Sequence, residues 1–347
     1  MNWTELDWPA LDRLRDGFLG GSAARGPYWQ SESELASYDL TYGERIGWKW
    51  DQVLRELHLR DWRPAAGTVL DWGCGSGIAS RRVISFFGAR HFGALHVWDH
   101  SPLATDFAAG APVRDFPGLA VSKATPGFLQ SDEPIGLLVI SHVLNELAPG
   151  SLAGLRAVIA RARAVLWVEP GSREISRQLG ALREELTRPD GAGGGFQVVA
   201  PCTHQDACPI LAPGNERHWC HHFAPPPSEI FANPDWVKFG QRAGIDLRSL
   251  PYFFLALDRR SGAPADAGLS RIIGRPEHFK PYTRFLNCDA TGLAELTLAK
   301  RTDPALYKQL DRTRAPLVYR WRREGDKVLG GEALPDTGAA LDSPAAP

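Results

Sequence analysis

The sequence predicts an α/β protein, a doubly wound and mostly parallel sheet with an N-terminal helical cap and a Cys-rich C-terminal region. Three observations predict it. Short apolar runs alternate with helical stretches from Thr68 onward, a glycine loop joins the first of those runs to a helix, and three cysteines crowd a Pro/His-rich stretch after residue 200. Strands buried on both faces read as continuous apolar runs, and their alternation with helices is the mark of crossover connections.

Residues 1–62 read as helical. Between Thr41 and Leu57, the positions Ile46, Trp50, Val53, Leu54 and Leu57 recur at helical spacing and supply one apolar face. Candidate strands follow at Val69–Asp71, Leu95–Trp98, Ile135–Ser141 and Val165–Glu169, the last of them stopped by Pro170–Gly171. A Gly-rich loop at Gly191–Gly195 precedes a Cys/His/Pro-rich region, Pro201 to Pro227, and Tyr252–Leu257 and Leu293–Leu298 read as later strands. The tail after Gly330 is rich in Ala, Pro, Gly and Asp and reads as disordered. These shifts divide the chain into a helical region (1–62), a cofactor-binding α/β domain (63–195), a cysteine-bearing region with late strands (196–330) and a tail (331–347).

At 347 residues and 44% hydrophobic, the chain can bury one large core or a core with added modules. A net charge of −1 gives no whole-molecule field toward nucleic acid, so DNA is not expected and any RNA contact must rest on a local patch. No run approaches the ~18 apolar residues of a membrane span, and no membrane partner is expected. The opening MNWTELDWPALDRLRD has neither the basic lead nor the apolar run of an export signal. Five cysteines in such a chain point to a reducing, cytoplasmic setting. The twelve tryptophans read as core filling.

The segment VLDWGCGSG places Asp71 at a strand end and Gly73, Gly75 and Gly77 at alternate positions after it. Glycines there let the backbone turn sharply and approach a ligand with no Cβ between them. Asp99 ends the next strand, in HVWDHS, where a carboxylate can accept hydrogen bonds from ribose hydroxyls. Cys74, inside the loop, reads as a small residue filling a tight space. The segment ISHVLNEL, Ile140 to Leu147, follows the third strand and brings Ser141 and His142 to the expected cofactor site. His142, Asn145 and Glu146 either line that site or cap a helix and face solvent. No residue identifies itself as a catalytic base.

The other four cysteines, Cys202, Cys208, Cys220 and Cys288, follow the pattern C-x5-C-x11-C-x67-C. The neighbours of the first three are His, Asp, Asn and Pro, poor material for an apolar core. Four thiolates meet the demand of a [4Fe–4S] cluster or of a four-cysteine zinc site, and Cys208 is followed by Pro209 as ferredoxin cysteines often are. His204, His218, His221 and His222 keep open a zinc site of three cysteines and one histidine. The irregular spacing, without paired C-x2-C knuckles, favours iron–sulfur over zinc, and four structural thiols remain the plainer reading.

The E/D-x-G-x-G-x-G spacing resembles motif I of class I methyltransferases. That resemblance implies a Rossmann-like fold in which Asp71, Gly73, Gly75 and Gly77 cradle the amino-acid end of S-adenosylmethionine and Asp99 holds its ribose. The Asn/Asp-Pro-Pro-aromatic turn of base-methylating enzymes is missing, as is a cysteine suited to attack on a pyrimidine. Over residues 40–325 the chain is similar to the methyltransferase-like small-ribosomal-subunit assembly factors of bacteria and mitochondria. The likeness is carried by the glycine loop, SHVLNEL, VEPG at Val168–Gly171, the Cys/His run from Ala200 to Phe223, SLPYFFLALDR and the late FLNC. It implies a [4Fe–4S] cluster on Cys202, Cys208, Cys220 and Cys288, and a role on the maturing subunit's rRNA in ribosome assembly or translation. An active methyltransferase for a small molecule or protein, and a non-catalytic scaffold, are the rival outcomes.

In one respect the chain departs from that family. Where its members carry a basic stretch after the Cys/His run, residues 223–244 hold only Lys238 and Arg242. Instead, nine Lys/Arg against four acids fall between Lys300 and Lys327, with Tyr307, Tyr319 and Trp321 interleaved. That mixture suits phosphate contact and base stacking, or else a solvated helix face beside a strand.

Overall fold

The structure is a computed structural model that describes residues 2–20, 28–147, 150–189, 195–260, 268–311 and 316–334. In chain order the helices and strands are α1 (Trp8–Leu19), α2 (Glu32–Tyr38), α3 (Glu44–Leu59), β1 (Gly67–Trp72), α4 (Ile78–Phe87), β2 (Phe92–Trp98), α5 (Pro102–Asp115), β3 (Ala120–Lys123), α6 (Pro126–Gln130), β4 (Ile135–Ser141), α7 (Ser151–Ala160) and β5 (Ala162–Pro170). There follow α8 (Arg173–Thr187), β6 (Gln197–Ala200), β7 (His222–Phe223), α9 (Pro234–Ala243), β8 (Pro251–Asp258), β9 (Leu269–Phe279), β10 (Tyr282–Asp289), β11 (Gly292–Ala299), α10 (Pro304–Leu310), β12 (Val318–Glu324) and β13 (Lys327–Ala333). The chain divides into two compact units, one of Met1–Leu54, Arg63–Glu169 and Ala224–Leu250, the other of Arg55–Trp62, Pro170–Phe223 and Pro251–Pro347.

In the first unit, β1 to β5 form a parallel array in the order β3-β2-β1-β4-β5. Val69 pairs with Leu95 on one side and Leu137 on the other, so β1 is the centre of the array. Val69, Leu70, Leu95, Val97, Leu137, Leu138, Val139, Ile140 and Leu166 are all buried, as continuous apolar runs require. The chain runs outward from β1 through β2 to β3, then crosses back to β4. That reversal opens a crevice beyond the carboxyl ends of β1 and β4, where ligands bind in open α/β sheets. Helices begin where the sequence offers caps. Asp7 accepts from the Ala10 amide, Ser31 from Glu34, and Ser101 from Ala104, with Pro9 and Pro102 in the first turns. On α3, Trp50, Val53, Leu54 and Leu57 are buried, the face read from their spacing.

In the second unit, β8 pairs antiparallel with β6 and β7. Beyond it, β9 to β13 close a barrel in the order β10-β11-β13-β12-β9. Only one of those five strands, at Leu293–Leu298, is anticipated by the apolar runs. The others carry polar or charged residues among their apolar ones, Arg284 and Asn287 on β10 and Arg320 and Arg322 on β12, so no run forms. Ile272, Phe285, Leu296, Leu298, Leu306, Leu310, Tyr319 and Val328 fill its core. Strand β13 runs three residues past Gly330, and Leu334 N donates to Val318 O, so the expected disordered tail begins too early. Residues 335–347, and Gly191 to Gly194 of the Gly-rich loop, lie outside the described residues.

Candidate functional site

The first unit holds a cavity of about 370 Å³ at the carboxyl ends of β1, β2 and β4. Its floor is the glycine loop. Gly73 and Cys74 donate to Trp98 O at 2.8 and 2.9 Å, pinning the loop to β2. The three glycines do different work. A Cβ on Gly73 would meet Val143 Cγ1 at 2.6 Å and one on Gly77 would meet Ala108 Cβ at 3.1 Å, whereas one on Gly75 would enter open space. All three have positive φ, which side chains rarely adopt. Gly75 is therefore bare where the cavity is open, Gly77 is bare for packing, and Gly73 lies both on the cavity wall and tight against Val143.

Asp99 Oδ2 accepts from Gly75 N at 3.0 Å and Oδ1 from Ser101 N at 2.9 Å, so the carboxylate is fixed at the rim with lone pairs to spare. Ser76 Oγ is buried on the cavity wall without a hydrogen-bond partner among the described residues. A bare glycine, a fixed carboxylate and an unsatisfied hydroxyl are what a nucleoside cofactor would use. Of the residues expected at the cofactor, Gly73, Gly75, Asp99, Ser141 and His142 line the cavity, and Asp71 and Gly77 stand behind it. Asp71 is fully buried and accepts from Ser80 Oγ at 2.5 Å, tying β1 to α4, and burial pushes its carboxyl up to about 6. Cys74 is buried and its thiol is raised by that burial, which leaves it a packing residue.

The turn after β4 is held from behind. Glu169 Oε1 accepts from Val143 N at 3.0 Å, Leu144 N at 3.2 Å and Trp167 Nε1 at 2.7 Å, while burial pushes its carboxyl up to about 7. His142 sits at φ +57, a left-handed conformation rare for a residue with a side chain. Its Nε2 lies 3.0 Å from Lys49 Nζ and its Nδ1 3.2 Å from Ser141 Oγ, which also accepts from Trp50 Nε1 at 3.0 Å. Burial, then the Lys49 charge, hold the imidazole well below its ordinary range. Glu146 accepts from the Tyr28 hydroxyl at 3.0 Å and is raised to about 8, chiefly by burial. Asn145 is exposed, so of the residues in SHVLNEL weighed for the site, His142 and Glu146 reach it. Sequence reasoning misses Lys49, Tyr28 and Glu169. Lys49 lies three residues after Ile46, on the apolar stripe of α3, and a cation at such a place is the available signal.

In the second unit, Cys202, Cys208, Cys220 and Cys288 line one cavity, together with Arg183, His204, Ile210, Phe253 and Arg271. The thiols come from the loop after β6, the turn before Pro209–Leu211, the approach to β7, and β10. No two cysteines are bonded. The space between them is about 20 Å³, room for a single water, and among the described residues no three His, Cys, Asp or Glu side chains close on one metal ion. Of the four histidines weighed as ligands, only His204 lines the cavity; its Nδ1 is buried without a hydrogen bond, 4.0 Å from Asp206 Oδ2, and its Nε2 is 4.0 Å from Cys288 Sγ. Burial and the facing thiols push Cys208 up to about 11 and raise Cys220 and Cys288 further, with Arg271 opposing the last two. Four thiolates brought this close need cationic charge between them. The loop itself is wired by buried arginines. Arg60 donates to Val199 O, Pro201 O and Cys202 O, and Arg271 clamps Glu56 at 2.5 and 2.8 Å while donating to Pro201 O at 3.1 Å.

The expected mixture of cations and stacking aromatics between Lys300 and Lys327 is only half present. Strand β12 alternates, which turns Tyr319 into the barrel core, fully buried, with Trp321 stacked on it at 4.3 Å and donating to Asn287. Tyr307 donates its hydroxyl to Phe279 O. Arg320, Arg322 and Arg323 face outward, while Arg312 and Arg314 lie outside the described residues. Base stacking by Tyr319 is thereby excluded. Arg242, one of two cations after the Cys/His run, pairs with Asp12 at 2.7 Å.

Among solved structures, a Pyrococcus horikoshii protein described as an RNA methyltransferase is 11% identical over 70% of this chain and 95% of its own, with a TM-score of 0.36. Magnesium protoporphyrin IX methyltransferase of Synechocystis PCC 6803, solved with bound S-adenosylmethionine, is 14% identical over 72% and 97%, with a TM-score of 0.37. The 16S rRNA methylase RmtB is 11% identical over 74% and 76%, with a TM-score of 0.36. At such scores the class I Rossmann-like fold rests on the strand order and the crevice themselves. No curated protein matches the chain. A family model, by contrast, covers residues 52–312, well over half of the sequence, from the last turns of α3 to the segment after α10. The chain belongs to the Rsm22 family, described as mitochondrial small ribosomal subunit Rsm22.

Proposed function

We propose that this protein is an S-adenosylmethionine-binding, methyltransferase-like factor that acts on the small ribosomal subunit, in its assembly or in translation. The family membership carries the ribosomal half and the glycine-loop cavity carries the cofactor half. Gly73, Gly75 and Ser76 would bear the cofactor's amino-acid end, Asp99 its ribose, and Ser141 and His142 the side facing the acceptor. When bound, the cofactor supplies an electrophilic methyl group on a sulfonium, and the protein supplies position and a dry wall. No helix among the described residues is long and apolar enough to cross a membrane. The family's description is mitochondrial, so the cytoplasmic expectation gives way to whichever compartment holds the small subunit.

The four cysteines are proposed to hold a [4Fe–4S] cluster. Their donor chemistry and shared cavity support this, as does the cationic charge that facing thiolates demand. A cluster is larger than the space of about 20 Å³ between the cysteines, so the proposal requires the cavity to widen on binding. The outward arginines of β12 are the proposed rRNA contact. Sedimentation tests the ribosomal reading: the protein should travel with small subunits at low salt, and reversing charge at Arg320, Arg322 and Arg323 should weaken that and flatten its salt dependence. A protein that remains at the top of the gradient at all salt concentrations contradicts the reading.

A further inference from the structure

We propose that Lys49, His142 and Ser141 form a proton relay opening on the cofactor cavity, which takes the proton from an N–H or O–H nucleophile as that nucleophile is methylated. This rests on the cofactor reading above and names the acceptor class that the missing acceptor motif leaves open. The three side chains are in series, Nζ to Nε2 at 3.0 Å and Nδ1 to Oγ at 3.2 Å, and Ser141 and His142 line the cavity. An indole N–H can only donate, so Trp50 occupies one lone pair of Ser141 Oγ and fixes the hydroxyl's orientation. With the amine neutral, His142 donates from Nε2 to Lys49 and accepts at Nδ1 from Ser141, whose remaining lone pair faces the cavity. With the amine charged, the series reverses and the cavity meets a hydroxyl donor.

The amine is held near neutrality by its surroundings. Burial, then Arg45 on the same helix, lower Lys49 to about 7, and Glu169 on β5 opposes them. Glu146, Tyr28, Tyr38, Cys74, Asp99 and His100 are the other titratable groups on the cavity wall. The left-handed backbone at His142, with Glu169 gripping the next two amides, keeps the ring between its partners. The balance is simple. The acceptor's lone pair forms the bond to the methyl carbon, the carbon–sulfur pair returns to sulfur, and the acceptor's proton passes to Ser141, Ser141's to His142, and His142's to Lys49.

Two readouts test it. In the free protein, acylation of lysines followed by mass spectrometry across pH 6–11 should place Lys49 near 7. With labelled S-adenosylmethionine and small subunits from cells lacking the protein, methyl incorporation should rise with pH through about 7. K49R cannot give up its charge, so it should lose at least about 100-fold of that rate and its pH dependence, while binding the cofactor within about twofold of wild type by calorimetry. Should K49R fail to fold, S141A carries the same test, with a loss of about tenfold or more. Lys49 titrating with the surface lysines overturns the proposal, as does K49R matching the wild type, or wild type that binds cofactor yet transfers no label. Wild type that binds no cofactor fails at the calorimetric step, and there it is the cofactor reading that falls, taking the relay with it.

Discussion

The cofactor pocket is made of backbone and strand ends, whereas the cysteine cavity is made of side chains delivered by four separate segments. In the first, glycines, two loop amides on Trp98 O and the Asp99 carboxylate shape a cavity of about 370 Å³. In the second, four thiols converge on about 20 Å³ among the buried apolar side chains of Ile210, Phe253, Leu255 and Ile273, in a loop tied by buried Arg60 and Arg271. The cavity of the first unit is framed by hydrogen bonds that the fold itself supplies. The cysteine cavity concentrates groups that repel one another once ionised, so its occupant contributes directly to the stability of that unit.

The contrast can be broken or sharpened by substitution. The largest effect belongs to the cysteines. Anaerobically purified wild type should be coloured and carry iron and sulfide, and C208S should lose both and melt well below the wild type. A colourless, metal-free wild type would remove the cluster. Next, G75V should weaken S-adenosylmethionine binding by about 100-fold or more in equilibrium dialysis with a smaller fall in melting temperature than G77V, because its side chain would enter open space and only the positive φ strains it. G77V should do the reverse, lowering the melting temperature through collision with Ala108. Equal effects from the two would erase the division of labour in the loop. D99N should cost less, about tenfold in affinity, since the amide keeps one acceptor.

The smallest effect is a slope. Glu169 is raised from 4.5 to about 7, so the folded state holds its proton more tightly than the unfolded one, and its contribution to stability falls as pH rises from about 4.5 to 7. E169Q retains the oxygen that accepts from Val143, Leu144 and Trp167 but cannot ionise. Denaturant melts should show E169Q gaining on the wild type between pH 5 and 7 and holding that gain at pH 8. A constant difference across that range would mean the carboxyl is not perturbed.

Legibility follows the same contrast. The glycine loop and strands β1, β2, β4 and β5 are local features, written in contiguous residues, and their predicted limits lie within three residues of the observed ones. The short, exposed edge strand β3 forms no apolar run and is missed. The motif assigns Asp71 and Gly77 to the cofactor because it does not say which of its members face the ligand. That depends on Ser80 and on Ala108 of α5, both distant from the strand end in sequence. The barrel escapes sequence reasoning because its strands mix polar and apolar residues, and the same mixture makes Tyr319 and Trp321 read as exposed stacking groups. The four cysteines can be grouped by composition, but the arginines that wire their loop, Arg60 and Arg271, reach it from the end of helix α3 and from strand β9, which no spacing rule connects. Lys49 is hidden by its helix. A cation on an apolar stripe is informative only once its partner, His142, is known to face it.

The most direct test is calorimetry on the intact protein with S-adenosylmethionine and with its demethylated product. Saturable heat for both ligands, strongly reduced in G75V with an unchanged circular dichroism spectrum, is the predicted result. Well-folded wild type that gives no heat with either would contradict the account at its centre.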